Sequence, residues 1–349
     1  LYQETRKVVR ALNKVVDINN YSTDKGNKGG REQRAIAIGT QGLADVFYLM
    51  DYIFTSEEAK KLNKEIFETI YFAAITESCY LCKSEEYQPY DYFNGSPMSQ
   101  GVFQFDMWGF KEEDLSGRWN WKSLKEEVND YGICNSLFTA QMPVASSAKI
   151  TGSYEMTEPA HSAIFNRRVV GGEIMIVNKY LINDFEKIGI WCEDLKNEII
   201  LNEGSIQNIN FNNYLDQEDR KYNSKVKRIE HLIQKYKTIW EISQKSLIEM
   251  AADRAPFIDQ SQSMNIYMSN PTLSKINSSH FYGWEKGLKT LCYYVRTKAI
   301  STGAKHLAVD ISKVEKPKVT PEPPKVDYSH LNLPPKPENS QFDCFGCSS

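Results

Sequence analysis

Apolar side chains recur every three or four residues at the start of the chain. Val8, Val9, Leu12, Val15 and Val16 fall at helical spacing and predict a helix over residues 1–18. The next stretch, NNYSTDKGNKGGREQ, is polar and glycine-rich and reads as a surface loop; it lacks the Gly-Lys-Ser/Thr ending of a phosphate loop. AIAIGTQGLADVFYLMDYIF then passes from a short apolar strand through Gly39 and Gly42 into a buried helix. A long amphipathic helix is expected over 56–83, opened by a Ser-x-x-Glu-type cap, and helices dominate again over 225–252. Three apolar runs read as buried strands: 136–142 (SLFTAQM), 264–268 (MNIYM) and 290–296 (TLCYYVR). Strands set between long helices predict an α/β layout in which the strands are covered on both faces.

The texture changes after about residue 305. Residues 314–338 hold a cluster of prolines that excludes helix and central strand, so 1–305 is read as the folded part and 306–349 as a tail. A chain of 349 residues with 41% hydrophobic positions is long enough for a substantial core. The net charge of −3 gives no footprint of a nucleic-acid binder, and no apolar run is long enough for a transmembrane helix. Seven scattered cysteines favour a reducing, cytoplasmic compartment over a disulfide framework, and the sequons at Asn20, Asn94 and Asn277 are then chance matches. His161, His231, His280, His306 and His330 form no pair at ligand spacing, so no metal site is expected. The chain opens at Leu1 inside a charged amphipathic pattern, which reads as a fragment or a split-gene product.

Three groups of residues carry chemistry. Cys344 and Cys347 form a CxxC at the end of the proline-rich tether. Two thiols at that spacing close a disulfide or attack a partner's, and a flexible tether of about 30 residues spans roughly 30 Å. Half of a metal site, or a terminus without a role, stays open. Tyr293 and Tyr294 are adjacent in an apolar run. On a strand such neighbours point to opposite faces and serve as ordinary packing, or, because a phenol gives up an electron and a proton together, as a radical relay. The segment QMPVASSA (141–148) follows a strand with small hydroxyl residues at a helix start. It reads either as an anion site, a nucleotide phosphate being the natural guest, or as an ordinary helix cap.

Longer words link these groups. AIGTQGLAD (37–45), LNKEIFETIYFAA (62–74), GSPMSQGVFQFDMW (95–108), YGICNSLFTAQMPVASSA (131–148), NRRVVGGE (166–173), GSIQNI (204–209), WEISQKS (240–246), FIDQSQSMNI (257–266) and HFYGWEKGLKTLCYYVRTK (280–298) resemble the large subunit of class I ribonucleotide reductase in its eukaryotic-like form. The similarity runs from residue 1 to about 300 and returns at the terminal CxxC. It implies the second half of a ten-stranded α/β barrel with surrounding helices. It also implies reduction of ribonucleoside diphosphates to deoxyribonucleoside diphosphates.

On the matching positions, the resemblance places Ser146, Ser147 and the Ala145 backbone on the substrate diphosphate, with Met142 near the nucleotide. Val144 stands where the family usually has threonine. Tyr293 and Tyr294 match the radical relay. Cys344 and Cys347 match the tail thiols that re-reduce the active site and are themselves reduced by thioredoxin or glutaredoxin. Residues 272–289 resemble the region beside the groove for the small subunit's tail, with Leu273, Ile276 and Leu288 as candidate lining or, equally, core. Cys79 is expected to be a structural buried thiol, with Cys82 completing a CxxC by count alone.

The family's thiyl-radical cysteine in its NLCxE-type motif, one cysteine of the reducible pair and the allosteric ATP/dNTP region match nothing here and belong upstream. The radical comes from the metal centre of the small subunit, so no cofactor is expected on this chain. The partners implied are the small subunit, a complementary N-terminal half, thioredoxin or glutaredoxin and the substrate. The alternative reading is an inactive remnant that only binds the small subunit or the complementary half. A thiol–disulfide oxidoreductase in its own right is disfavoured, because no thioredoxin-like context surrounds the CxxC.

Overall fold

The computed structural model describes residues 1–169 and 172–298. The tail, with Cys344 and Cys347, lies outside the described residues. Helix α1 (Tyr2–Ile18) buries Thr5, Val9 and Asn13, with Leu12 and Val16 half-buried beside them. Val8 and Val15 of the predicted stripe point to solvent, because the contact face follows the 5-9-12-16 ridge.

The expected loop after α1 is a helix, α2 (Asp24–Gln33). Thr23 caps it by accepting from the Gly26 N–H, and Asp24 adds a negative charge at its first turn. The glycines that suggested a loop have a packing reason. A Cβ on Gly30 would sit 2.5 Å from the Tyr21 ring, so glycine there lets the aromatic lie against the helix.

Helix α3 (Leu43–Leu49) starts at Gly42, which takes a left-handed φ of 81°. Helix α4 (Glu57–Lys83) matches its prediction closely, with the Ser56 hydroxyl accepting from the Ala59 N–H. It is the central element: Phe67, Tyr71, Ile75 and Cys79 enter one core with α1 and with Phe103, Phe105 and Trp121. Phe72 stacks on Trp119 at 4.9 Å between ring centroids. The short helix α5 (Gln104–Met107) and α6 (Trp121–Tyr131) close that core, and α7 (Ala145–Thr151) leaves it toward solvent.

A hairpin that the sequence pattern did not announce follows: β1 (Ile164–Val169) and β2 (Gly172–Val177) pair antiparallel, Ile164 opposite Val177 and Asn166 opposite Met175. Its outer residues are polar and apolar without clean alternation, so a period-two reading misses it. Helices α8 (Lys179–Ile188), α9 (Glu193–Leu201) and α10 (Tyr222–Lys235) form a second core around Leu181, Phe185, Leu195, Ile199 and Leu232. The helical stretch predicted over 225–252 is broken after α10. Ile239 and Ile242 are buried in the linker, and α11 (Gln244–Arg254) begins after Ser243. β3 (Asn265–Tyr267), α12 (Leu273–Glu285) and β4 (Tyr294–Arg296) complete the described fold.

The predicted buried strands are present mostly as irregular extended segments. Ile38 bridges Thr139 in parallel, and Gln141 bridges Gln262 in parallel. β3 pairs with β4 in parallel, Asn265 opposite Tyr294. The 136–142 run therefore forms no regular strand, because side chains take over part of its hydrogen bonding.

Lys235 is 3% exposed and ties three elements together. Its ammonium lies 2.7 Å from both Asp184 and Asp51; Arg228 also pairs with Asp51, and the Tyr236 hydroxyl donates to Asp184 at 2.8 Å. Burial alone would raise both carboxyls. The Arg228 and Lys235 contacts outweigh it and hold Asp51 far down, and Lys235 with Tyr236 holds Asp184 below its ordinary range.

Depressed folded values mean stability that is complete above the unfolded pKa of about 3.9 and lost as pH falls through the folded values. Thermal melts should therefore show this contribution flat near neutrality and declining below about pH 4. Lys235→Met should lower stability at pH 7 by about 3 kcal/mol, since it leaves Asp184 buried without its ammonium. An unchanged midpoint at both pH values would remove this cluster from the account.

Candidate functional site

The segment that carries the small hydroxyl residues is positioned from behind by a half-buried carboxylate. Asp259 accepts from the backbone N–H of Phe138 at 2.8 Å, from that of Thr139 at 2.9 Å and from the Thr139 hydroxyl at 3.2 Å. Burial pushes Asp259 up to about 6, against those hydrogen bonds from Thr139 and Phe138. Lys289 fastens the same turn by donating to the carbonyls of Ile258, Asp259 and Gln260.

At the other end of the segment the buried Gln141 side chain accepts from the Thr40 N–H and hydroxyl and donates to the Thr40 carbonyl at 2.6 Å. The glycine loop at 39–42 is thereby fixed to the chain that enters α7. Gly39 is required there: a Cβ would meet the Ala140 carbonyl at 2.8 Å and the Met142 side chain at 2.9 Å.

Met142 is half-buried, and Ala145, Ser146 and Ser147 are exposed. α7 begins at Ala145 after Val144, with no side chain capping its first turn. The Ser147 hydroxyl reaches Gln41 Oε1 at 3.0 Å, and Gln41 in turn donates to Thr151 at 2.8 Å. The result is an uncapped first turn beside two exposed serines, one oriented by a neighbouring amide, an arrangement that offers N–H and O–H donors to an anion. Gln41, Thr40 and Asp259 hold this segment and escaped the reading of the sequence, which met Gln141 only as the first residue of the segment. Each acts across more than a hundred residues or through a local loop, and residue spacing carries no trace of that.

Tyr293 and Tyr294 contact each other, ring centroids 4.4 Å apart and planes at 64°. The expected alternation to opposite faces does not hold, since Tyr293 precedes β4 and its N–H donates to the Met264 carbonyl at 2.7 Å. Both are partly exposed, Tyr293 at 53% and Tyr294 at 38%, and the Arg296 guanidinium lies over the Tyr294 ring at 4.8 Å. The parallel register aligns Gln141 with Gln262 and Asn265 with Tyr294. The tyrosines therefore lie at the end of the row from which 142–148 departs.

Leu273 is exposed on the first turn of α12, whereas Ile276 and Leu288 are half-buried against the small core of Ile248, Met264, Ile266 and Leu291. A cavity of about 240 Å³ lies under the β1–β2 hairpin, lined by Lys149, Tyr154, Glu158, His161 and Arg167 among others. It adjoins the far end of α7 and includes neither Ser146 nor Ser147. Cys79 is buried, which pushes its thiol up to about 12, and is a packing residue as expected. Among the described residues no cluster of His, Cys, Asp and Glu is arranged to hold a metal, and no helix is long and apolar enough to cross a membrane.

Residues 1–294 match the family described as ribonucleotide reductase, barrel domain. The chain is 47% identical over 298 residues to the ribonucleoside-diphosphate reductase large subunit of Caenorhabditis elegans, covering 85% of this chain and 35% of that protein. It is 48% identical over 294 residues to the large subunit of Vaccinia virus, covering 84% and 35%. Against the large chain of Neurospora crassa it is 46% identical over 299 residues, covering 86% and 30%. The chain thus spans about a third of the length of these curated relatives. Among solved structures, the class Id ribonucleotide reductase alpha subunit of Actinobacillus ureae shares the fold, with a TM-score of 0.57 and 22% identity over 84% of this chain and 46% of that one. The parallel row of extended segments and the sequence match point the same way: the chain belongs to the ribonucleotide reductase barrel-domain family.

Proposed function

We propose that this chain is the C-terminal part of a class I ribonucleotide reductase large subunit, forming the second half of a ten-stranded α/β barrel. It reduces ribonucleoside diphosphates to deoxyribonucleoside diphosphates when completed by an N-terminal half and the small subunit. One observation carries the reading: the register brings a contacting tyrosine pair and an uncapped, serine-bearing helix start to the same end of one parallel row.

The roles follow from the chemistry of the groups. The first-turn N–H at Ala145 and the hydroxyls of Ser146 and Ser147 bind the substrate diphosphate, with Met142 against the nucleotide. Val144 offers a methyl surface where a hydroxyl would give one more donor. Tyr293 and Tyr294 exchange an electron and a proton across ring contact, which relays oxidising equivalents inward from the small subunit, whose metal centre supplies the radical. Cys344 and Cys347, on their tether, return electrons from thioredoxin or glutaredoxin to the active site. Leu273 offers exposed apolar surface to the small subunit's tail, with Ile276 and Leu288 supporting it from the core side. Allosteric ATP or dNTP binds the N-terminal part, and the assembly works in the cytoplasm, where thiols stay reduced.

Tyr293→Phe and Tyr294→Phe keep the rings and remove only the phenolic O–H. In the reconstituted assembly each should cut turnover by about 100-fold or more while leaving diphosphate affinity within about twofold. Near-normal turnover in either variant would end the relay assignment. A Cys344→Ser/Cys347→Ser double variant should lose thioredoxin-driven turnover yet retain part of the rate with a small dithiol, measured as deoxynucleotide formed under each reductant. Loss of both rates would assign the tail a structural role instead.

A further inference from the structure

Among the described residues five cysteines have no role in the proposed reaction, and two of them, Cys82 and Cys134, lie on facing elements. Cys82 lies on α4 one helical turn after Ser78, so the two side chains share a face. Opposite that face is Cys134, fully buried in the turn that leads into residues 136–142. The Ser78 hydroxyl is 3.3 Å from the Cys134 sulfur, and Cys82 and Cys134 pack in the same core cluster, so the two cysteines face each other.

The surroundings of Cys134 are unusually polar for a core. Its sulfur lies 3.2 Å from Asn135 Oδ1 and 3.8 Å from Asn13 Oδ1, and the two asparagine side chains bond each other at 3.0 and 3.1 Å. Arg34 joins them at Asn13 Oδ1, 3.1 Å away. Against burial, the Cys82 S–H, the Ser78 hydroxyl and the Arg34 charge favour the thiolate at Cys134, and Cys82 is driven the opposite way. Cys79, on the same helix, sits in the apolar core and lacks these partners.

A cover lies over this network. Arg34 pairs with Asp17 at 2.8 Å, the Tyr87 hydroxyl donates to Asp17 at 2.5 Å, and the Arg34 guanidinium lies 4.5 Å over the Tyr87 ring. Arg34 takes a left-handed φ of 46°, and its Nε is buried without a hydrogen-bond partner. Beneath it Cys82 retains 9% exposure, against none for Cys134.

We propose that Cys82 and Cys134 are an internal redox pair that hydrogen peroxide converts to a disulfide, tying the end of α4 to the segment that carries the 142–148 loop. The Cys134 sulfur attacks one peroxide oxygen; the O–O bond breaks, and the leaving hydroxide takes a proton to become water, which leaves a sulfenic acid on Cys134. The Cys82 sulfur then attacks the Cys134 sulfur; the S–O bond breaks, and hydroxide leaves as a second water with the Cys82 proton. Two thiols are oxidised and one peroxide is reduced to two waters, and a dithiol reverses the step. The S–S bond formed is about 2.05 Å long.

The test uses the full 349-residue chain, treated with graded hydrogen peroxide, blocked with N-ethylmaleimide and digested for mass spectrometry, with circular dichroism reporting the fold. A linked peptide pair containing Cys82 and Cys134, abolished by dithiothreitol, is expected. In Cys82→Ser the reaction should stop at a sulfenic acid on Cys134 that dimedone captures. Absence of the linked pair at every peroxide concentration the fold withstands overturns the proposal. So does a bridge that uses Cys79, or dimedone capture at Cys82 in Cys134→Ser with none at Cys134 in Cys82→Ser.

Discussion

The half-buried carboxylate of Asp259 completes the hydrogen bonding of the row of extended segments. Residues 137–141 bond through their backbone to the segments on both sides, but the Phe138 and Thr139 N–H groups have no backbone partner among the described residues. Asp259 takes the Phe138 and Thr139 N–H groups instead, and Thr139 returns the favour by accepting from the Asp259 N–H through its hydroxyl. Each orphaned N–H would otherwise cost about 1–3 kcal/mol. Burial raises the Asp259 pKa to about 6, which still leaves it ionised near neutrality as a strong acceptor. Everything downstream of this clamp, from Gln141 and its grip on Thr40 to Met142 and the first turn of α7, inherits its position from it.

The same row explains why the candidate chemistry gathers where it does. Parallel segments bring all their C-terminal ends to one side, the side on which α/β proteins place their ligands. The 142–148 segment leaves there, and the Tyr293–Tyr294 pair lies level with it. Exposed aromatic surface is found on α12 as well, where Phe281 and Trp284 are 66% and 74% exposed. On the proposed reading this row is one half of a closed barrel, whose edges pair only when the circle is complete.

Much of this was legible in the residue pattern. The long helix α4 announced itself through its cap and its apolar face, and the strand-like runs at 136–142, 264–268 and 290–296 do lie side by side, although only short pieces of two of them are regular strands. The hydroxyl segment and the tyrosine pair stood out as chemistry, and resemblance supplied the roles that spacing alone left open. What the pattern hid was long-range or backbone-specific. Glycines at 26, 29 and 30 read as loop but make an exposed helix, one of them because Tyr21 lies against it. The β1–β2 hairpin lacked alternation, and the helical stretch after 225 gave no sign of the buried Ile239–Ile242 link. Asp259, Gln141 and Lys235 gained their importance only from partners far away in sequence.

The central claim is that this chain contributes an essential half of a working reductase. The most direct measurement is deoxyribonucleoside diphosphate formation by the chain mixed with a large-subunit N-terminal half, the small subunit and a reductant, with each component omitted in turn. Turnover that appears only when this chain is present is the predicted result. A stable complex of all components that forms no deoxynucleotide would contradict it and leave the chain a docking element.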